Sequence, residues 1–273
     1  MIATAREALR KRLPPNAFDR VWLYWWVGRH YVPRLCGSLF APRRVRVRVF
    51  PGSDASPLAE LLGDINMAAP TKMCRVMTKY GSDKGRQWHN YTIVYSALFR
   101  EFRHRPLRMF EMGLGTNRPD FAFNMGVNGR PGASLRGWRE LFPKALVYGA
   151  DIDRDSLFEE ERIQTFFCDQ LDPAAIHDLW SQPALAGGVD VIIDDGLHTF
   201  EGNTSFLNAS LNHLRPGGVY VVEDIHREAI GKWLESLEAF SKRFPNYEFA
   251  LAELPNPSNP FDNNLLIVRR RVG

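Results

Sequence analysis

The chain has 273 residues, 45% of them hydrophobic and 24% charged, a balance that suits a globular protein with one large core and excludes a low-complexity or disordered chain. Its net charge of +4 is unevenly spread: residues 1–50 hold eleven Lys/Arg against Glu7 and Asp19, a surplus of +9, and the remainder carries −5. A basic end can meet nucleic acid or an anionic membrane surface, but an acidic main body speaks against nucleic acid as the substrate.

In chain order, residues 1–12 read as a basic helix stopped by Pro14-Pro15. The apolar run 21–27 (VWLYWWV) is far shorter than the roughly 20 residues that span a bilayer. It is expected to pack on the main domain or on a partner subunit, with peripheral contact at a membrane interface as the alternative. Trp22, Trp25 and Trp26 suit a homo-oligomer contact or the wall of an acceptor pocket. The strict alternation at 44–49 (RVRVRV) predicts a short strand with a basic face or an extended arm, broken by Pro51-Gly-Ser-Asp. Helices are expected over 56–67 and 88–102, with Gly81-Ser-Asp-Lys-Gly85 as the loop before the second. From 108 onward, β-rich runs at 108–113, 146–152, 165–168, 190–194, 218–223, 247–251 and 265–269 alternate with helical stretches, the pattern of βαβ units. The last two are separated only by a Pro- and Asn-rich loop, 255–264, which predicts an antiparallel hairpin. The expected fold is therefore α/β: a Rossmann-like, doubly wound, seven-stranded and mostly parallel sheet over 78–273, preceded by a helical, basic extension over 1–77 that serves as a substrate lid or an oligomer contact. Cys36, Cys74 and Cys168 show no CxxC spacing and cannot all pair, which together with the lack of a secretory cleavage pattern predicts a cytoplasmic protein.

The first long strand runs into Phe110-Glu-Met-Gly-Leu-Gly-Thr116. Gly113 and Gly115 are expected to let the backbone approach a ligand, Glu111 precedes them, and Asp151 and Asp153 end the next strand where ribose hydroxyls would lie. A dinucleotide site would show a third glycine where Arg118 stands. An acid before the glycines suits a cofactor with a cationic end better than an anionic pyrophosphate. This pattern resembles the nucleotide-binding region of class I S-adenosylmethionine-dependent methyltransferases. The resemblance implies that Asp169 and Gln170, after the third strand, border the adenine, and that Asp194 belongs to the same cofactor site; a turn role at the strand end is the other reading of Asp169.

The fourth strand ends Asp194-Asp-Gly-Leu-His198 and the fifth Val222-Glu-Asp-Ile-His226. If these strands adjoin, Asp194, Asp195, Glu223 and Asp224 crowd together and call for protonation, a basic partner or a metal, with Mg2+ or Mn2+ suited to such hard oxygen donors. His198 is placed to accept a hydroxyl proton, while the alternative for all of these is capping and loop hydrogen bonding. His226 reads equally as a substrate contact or a helix-start surface residue.

These two strand ends, with Tyr80-Gly-Ser-Asp-Lys-Gly85 and then His89, Tyr91 and Tyr95, resemble the metal-dependent macrolide-sugar O-methyltransferases of the mycinamicin and tylosin type over about residues 78–270. The resemblance implies metal ligation by Asp195, Glu223 and Asp224, a general base at His198, and S-adenosylmethionine and Mg2+ as cofactors. The acceptor it implies is a small hydroxylated molecule, a sugar or glycoside. Lys84, His89 and Tyr91 would contact substrate or close the site; Lys84 reads equally as a solvated turn residue. Leu197 departs from the related motif, where a hydroxyl residue stands. Competing readings are a metal-independent methyltransferase, a cephalosporin-hydroxylase-like relative, and a non-enzymatic nucleotide-binding protein associated with membrane or nucleic acid.

Overall fold

The computed structural model describes residues 44–51, 56–85, 88–121 and 124–272; the expected helix at 1–12, the aromatic run at 21–27 and Cys36 lie outside them. Nine strands form one mixed sheet in the order β1-β8-β9-β7-β6-β2-β3-β5-β4. The parallel centre consists of β2 (Leu107–Met112), β3 (Ala145–Asp151), β5 (Ile163–Phe167), β6 (Val189–Asp194) and β7 (Leu214–Val222). Strands β8 (Tyr247–Glu253) and β9 (Asn264–Arg270) pair antiparallel, and β9 runs antiparallel to β7.

The count of seven is corrected to nine by two edge strands. The alternating arginine segment becomes β1 (Arg46–Phe50), antiparallel to β8, and a two-residue β4 (Glu159–Glu160) flanks β5. The segment before residue 78 is thus partly built into the sheet and its covering layer. Leu58 and Leu62 of α1 (Pro57–Gly63), and Met73, Val76 and Met77 of α2 (Lys72–Tyr80), join the same apolar cluster as the strands.

Successive strand residues point to opposite faces, so each buried strand feeds two cores. Met109, Val191, Ile193 and Val221 pack under α1, α2, α3 (Tyr91–Leu98) and α4 (Ala133–Leu141). Phe110, Ile192, Tyr220 and Val222 pack under α5 (Pro173–Trp180), α6 (Phe200–Ser210) and α7 (Ile230–Arg243). The starts of these helices are legible: Thr71 caps α2, Asp172 followed by Pro173 starts α5, and Thr199 caps α6. Helix α3 is shorter than the expected 88–102: Asn90, before its start, is tied to the β8–β9 connection through the Pro255 carbonyl and Asn263, and after Leu98 the chain continues as a 3-10 turn over Arg100–Phe102.

Strand β2 pairs with β3 on one side and β6 on the other, so the chain reverses its direction of sheet growth there. The crevice at such a reversal, beyond the carboxyl ends of the strands, is where open α/β sheets bind ligands. No described helix is long and apolar enough to cross a membrane.

Candidate active site

The ladder between the central strands runs to their last residues. Asp195 N–H donates to the Met112 carbonyl at 2.9 Å and Glu223 N–H to the Asp194 carbonyl at 2.9 Å, so Gly113, Asp195 and Glu223 sit side by side. Gly113 has φ +92, and a Cβ there would come within 2.0 Å of the Asp195 carbonyl oxygen. The close packing of these two loops by itself requires glycine at this position. At Gly115 (φ +80) a Cβ would meet the flexible Met125 side chain at 2.2 Å.

The acids around this turn brace it. Asp151 accepts Leu114 N–H at 2.7 Å and Asp153 N–H at 2.8 Å. Asp153 takes the Thr116 hydroxyl and Asp155 N–H. Gln170 spans two loops, donating to Asp194 at 2.7 Å and accepting Leu197 N–H at 2.8 Å. Asp169 turns its own loop by accepting Leu171 N–H at 2.9 Å. Asp194 faces the α5–α6 side of the sheet, where Asn203 and Tyr220 also donate to it. Burial pushes its carboxyl up to about 6, against the pull of these donors.

Alternation puts Glu111, Asp195 and Glu223 on the other face, Asp195 beside Glu223 and Glu111 two residues back, level with Ile193. Three carboxylates so placed need a cation, and the Lys84 ammonium supplies it from the loop after α2. It pairs with Asp195 and Glu223 and lies 3.4 Å from Glu111, with the residue 1% exposed. Glu111 is completed by Ser134 at 2.5 Å and Trp138 Nε1 at 2.6 Å, and Glu223 by the Tyr95 hydroxyl. Burial pushes Glu223 well above the usual carboxylate range even with Lys84 opposing it. For Lys84, burial favours loss of the proton, but Asp195, Glu111 and Glu223 outweigh it and raise its pKa well above the ordinary value.

Asp195 also reaches toward the crevice, where His198 Nε2 lies 3.1 Å from its Oδ1 and His198 Nδ1 lies 3.5 Å from Asp224 Oδ2. Donor atoms of Asp195, His198 and Asp224 all lie within 4.8 Å of one another. His198 (φ +56) and Asp224 (φ +55) are two of the three described non-glycine residues with left-handed backbone, the kind of strain that gathers at functional sites. Burial resists a charge on His198, but Asp224 and Asp195 prevail and raise its pKa to about 10. Burial likewise resists ionisation of Asp195, yet Lys84 and His198 hold its carboxyl well below the usual range.

Behind Asp224 stands a supporting layer. Tyr91 OH lies 2.7 Å from Asp224 Oδ1, and the His89 ring stacks on Tyr91 at 4.7 Å with Nε2 3.3 Å from Asp224. Burial alone would lower the His89 pKa; Asp224, Asp262 and Asp83 raise it well above the ordinary value. Asp262 comes from the β8–β9 loop, where the sequence shows only a connection, and lies 3.5 Å from His89 Nε2. Its arrival at the site depends on the Asn90–Asn263 contact, for which spacing along the chain offers no signal.

A cavity of about 730 Å³ joins the two halves, bounded by Gly113, Gly115, Asp151, Asp169 and Gln170 on one side and by Asp195, His198, Asp224, His89 and Lys84 on the other. That is within the usual range for small-ligand sites. Ile152 and Leu171, 44% and 53% exposed, give the first side an apolar rim. Glu111, Asp153, Asp194, Glu223 and Tyr91 stand behind the lining. His226 is outside it, half exposed, accepting Glu228 N–H at 3.3 Å to cap a 3-10 turn.

No protein-family profile matches the chain. It is 35% identical over 168 residues to the demethylmacrocin O-methyltransferase of Streptomyces fradiae, covering 61% of this chain and 39% of that one. It is 38% identical over 149 residues to an 8-demethyl-8-alpha-L-rhamnosyl tetracenomycin-C 2'-O-methyltransferase of Streptomyces olivaceus, covering 54% and 36%. A third relative, the mycinamicin VI 2''-O-methyltransferase of Micromonospora griseorubida, is 32% identical over 56% of this chain and 36% of its own length. The match thus spans well under half of each of these relatives. Among solved structures, the MycE methyltransferase of the mycinamycin pathway, in complex with Mg and SAH, superimposes with a TM-score of 0.58 at 24% identity, over 75% of this chain and 56% of that one. In sequence the chain is similar, over rather more than half its length, to macrolide-sugar and related O-methyltransferases, and its fold is the Rossmann-like α/β methyltransferase fold.

Proposed function

We propose that the chain is an S-adenosylmethionine-dependent O-methyltransferase acting on a hydroxyl of a sugar or glycoside, with Mg2+ or Mn2+ at the acidic centre and His198 as the proton acceptor. The observation that carries this reading is the single cavity shared by the glycine turn with Asp151 and Asp169 and by Asp195, His198 and Asp224. The relatives' names point to glycosidic acceptors, and the fold neighbour was solved with Mg and SAH.

On the glycine side, Gly113 and Gly115 leave backbone without side chains along the wall, and Asp151 and Asp169 offer carboxylates for ribose or adenine polar groups. Ile152 and Leu171 offer aliphatic surface for a flat heterocycle. The donor set also fits a divalent ion. Asp195 is held ionised, and Asp195 and Asp224 present hard oxygen atoms into the cavity within 4.8 Å of each other and of His198. Asp195 and Asp224 would hold it, with Glu223 as the third carboxylate beneath them. When bound, Mg2+ supplies a Lewis acid that lowers the pKa of a hydroxyl oxygen. His198, between Asp195 and Asp224, is a cation while both carboxylates pull on its proton; once their charge is engaged elsewhere, it returns toward the ordinary histidine range and can take a hydroxyl proton. Asp224, His89 and Tyr91 keep the ring's second nitrogen oriented. Residues 78–273 carry this chemistry in our reading, and the segment before them supplies an edge strand and part of a covering layer.

The test is transfer of labelled methyl from S-adenosylmethionine to a panel of rhamnosyl and other deoxysugar glycosides, with and without EDTA. EDTA-sensitive labelling of a glycoside is expected. Absence of labelling on every glycoside, by protein that binds S-adenosylhomocysteine, would overturn the acceptor class.

A further inference from the structure

The cluster formed by Glu111, Asp195 and Glu223 is compensated from inside the protein, and this bears on how a divalent ion can bind. The Lys84 ammonium touches Asp195 and Glu223 and lies 3.4 Å from Glu111, and Tyr95 donates to the other oxygen of Glu223. It is held there by its loop. Gly81 ends α2 with φ +88, the Lys84 carbonyl accepts Thr92 N–H at 3.2 Å, and a Cβ at Gly85 would meet the Thr78 hydroxyl at 2.7 Å.

We propose that Lys84 is a tethered cation that competes with a divalent ion for Asp195 and Glu223, and so sets both the affinity and the depth of that ion. This rests on the reading of Asp195 and Asp224 as a divalent site. While the ammonium holds the inner oxygens, an incoming ion is met by the outer oxygens of Asp195 and by Asp224, on the cavity side where an acceptor would enter. Two like charges a few ångströms apart repel strongly where water is scarce, so the ammonium weakens divalent binding. Without it, Glu111, Asp195 and Glu223 keep their hydrogen-bond donors but lose the cation buried among them, and a divalent ion replaces that charge. Lys84 is thus a positioning residue acting through Asp195 and Glu223.

The experiment compares wild type with Lys84→Met by calorimetric titration of Mn2+ and by melting in EDTA and in Mn2+. The expected result is at least about ten-fold tighter Mn2+ binding by K84M, a lower melting temperature in EDTA, and a larger Mn2+-induced rise than in wild type. Binding by K84M equal to or weaker than wild type overturns the proposal. Should K84M fail to fold in EDTA, the double variant K84M/E223Q, which removes one carboxylate with the ammonium, is expected to fold and to bind Mn2+ through Asp195 and Asp224. No Mn2+ binding by that folded double variant overturns the proposal too. The divalent-site reading is scored separately, by whether wild type itself binds Mn2+.

Discussion

Replacing Gly113 by alanine tests whether the cofactor side and the acidic side of the crevice are one packed unit. Two costs add at this position. Holding an alanine in left-handed backbone costs about 1–2 kcal/mol, and relieving a Cβ placed 2.0 Å from the Asp195 carbonyl means moving backbone, an overpacking cost of about 1–3 kcal/mol. The expected loss is about 2–5 kcal/mol, or a fall in melting temperature of roughly 3–9 °C for a chain of this size. Gly115→Ala is the internal control. It carries the same backbone cost, but its Cβ meets the mobile Met125 side chain, which can swing away. Urea unfolding should therefore show G113A less stable than G115A by about 1–3 kcal/mol. Calorimetry should show G113A weakened for both S-adenosylhomocysteine and Mn2+, because the strain is passed to Asp195. Equal stability of the two variants, or loss of cofactor binding with Mn2+ binding intact, would refute the coupling.

Two further predictions concern protons. Asp194 titrates at about 6 in the fold against an ordinary 3.8, so the folded state holds the extra proton. That contribution is present below pH 4 and is lost as pH rises through 6, about 3 kcal/mol in all. Asp194→Asn removes it, so the wild-type minus D194N difference in urea stability should fall by about that amount between pH 4 and 7; a pH-independent difference would contradict the assignment. His198 keeps its proton up to about pH 10 because Asp224 and Asp195 hold it. Binding Mn2+ at pH 8 should therefore release about one proton, read from calorimetry in buffers of different ionisation enthalpy, and His198→Gln should abolish the release. A wild type that binds Mn2+ without losing a proton would mean that the two carboxylates do not set the His198 charge.

Much of the sheet was legible because its central strands are buried on both sides and read as continuous apolar runs, such as the one ending at Asp194. The edge strand β1 was visible as alternation, but its partner, about 200 residues away in β8, was not. At the site, the acids at the ends of β6 and β7 marked a shared region because adjoining parallel strands present their carboxyl ends together. What the motif left open was direction. Asp194 and Asp195 are neighbours in sequence and face opposite sides of the sheet, one toward Tyr220 and the other toward His198. Glu111 and Glu223 likewise turn inward. Lys84 was marked for the site by the Tyr80–Gly85 motif, but its pairing with the acids was not legible, since its partners Asp195 and Glu223 lie 111 and 139 residues along the chain. Asp262 reached the cluster through a loop whose position depends on asparagine contacts between distant segments.

Titrating S-adenosylhomocysteine, then Mg2+, into wild type and an Asp195→Ala, Asp224→Ala double variant separates the cofactor site from the divalent site. Cofactor binding by both proteins, with Mg2+ binding by the wild type alone, is the predicted result; a folded wild type that does not bind S-adenosylhomocysteine would contradict it.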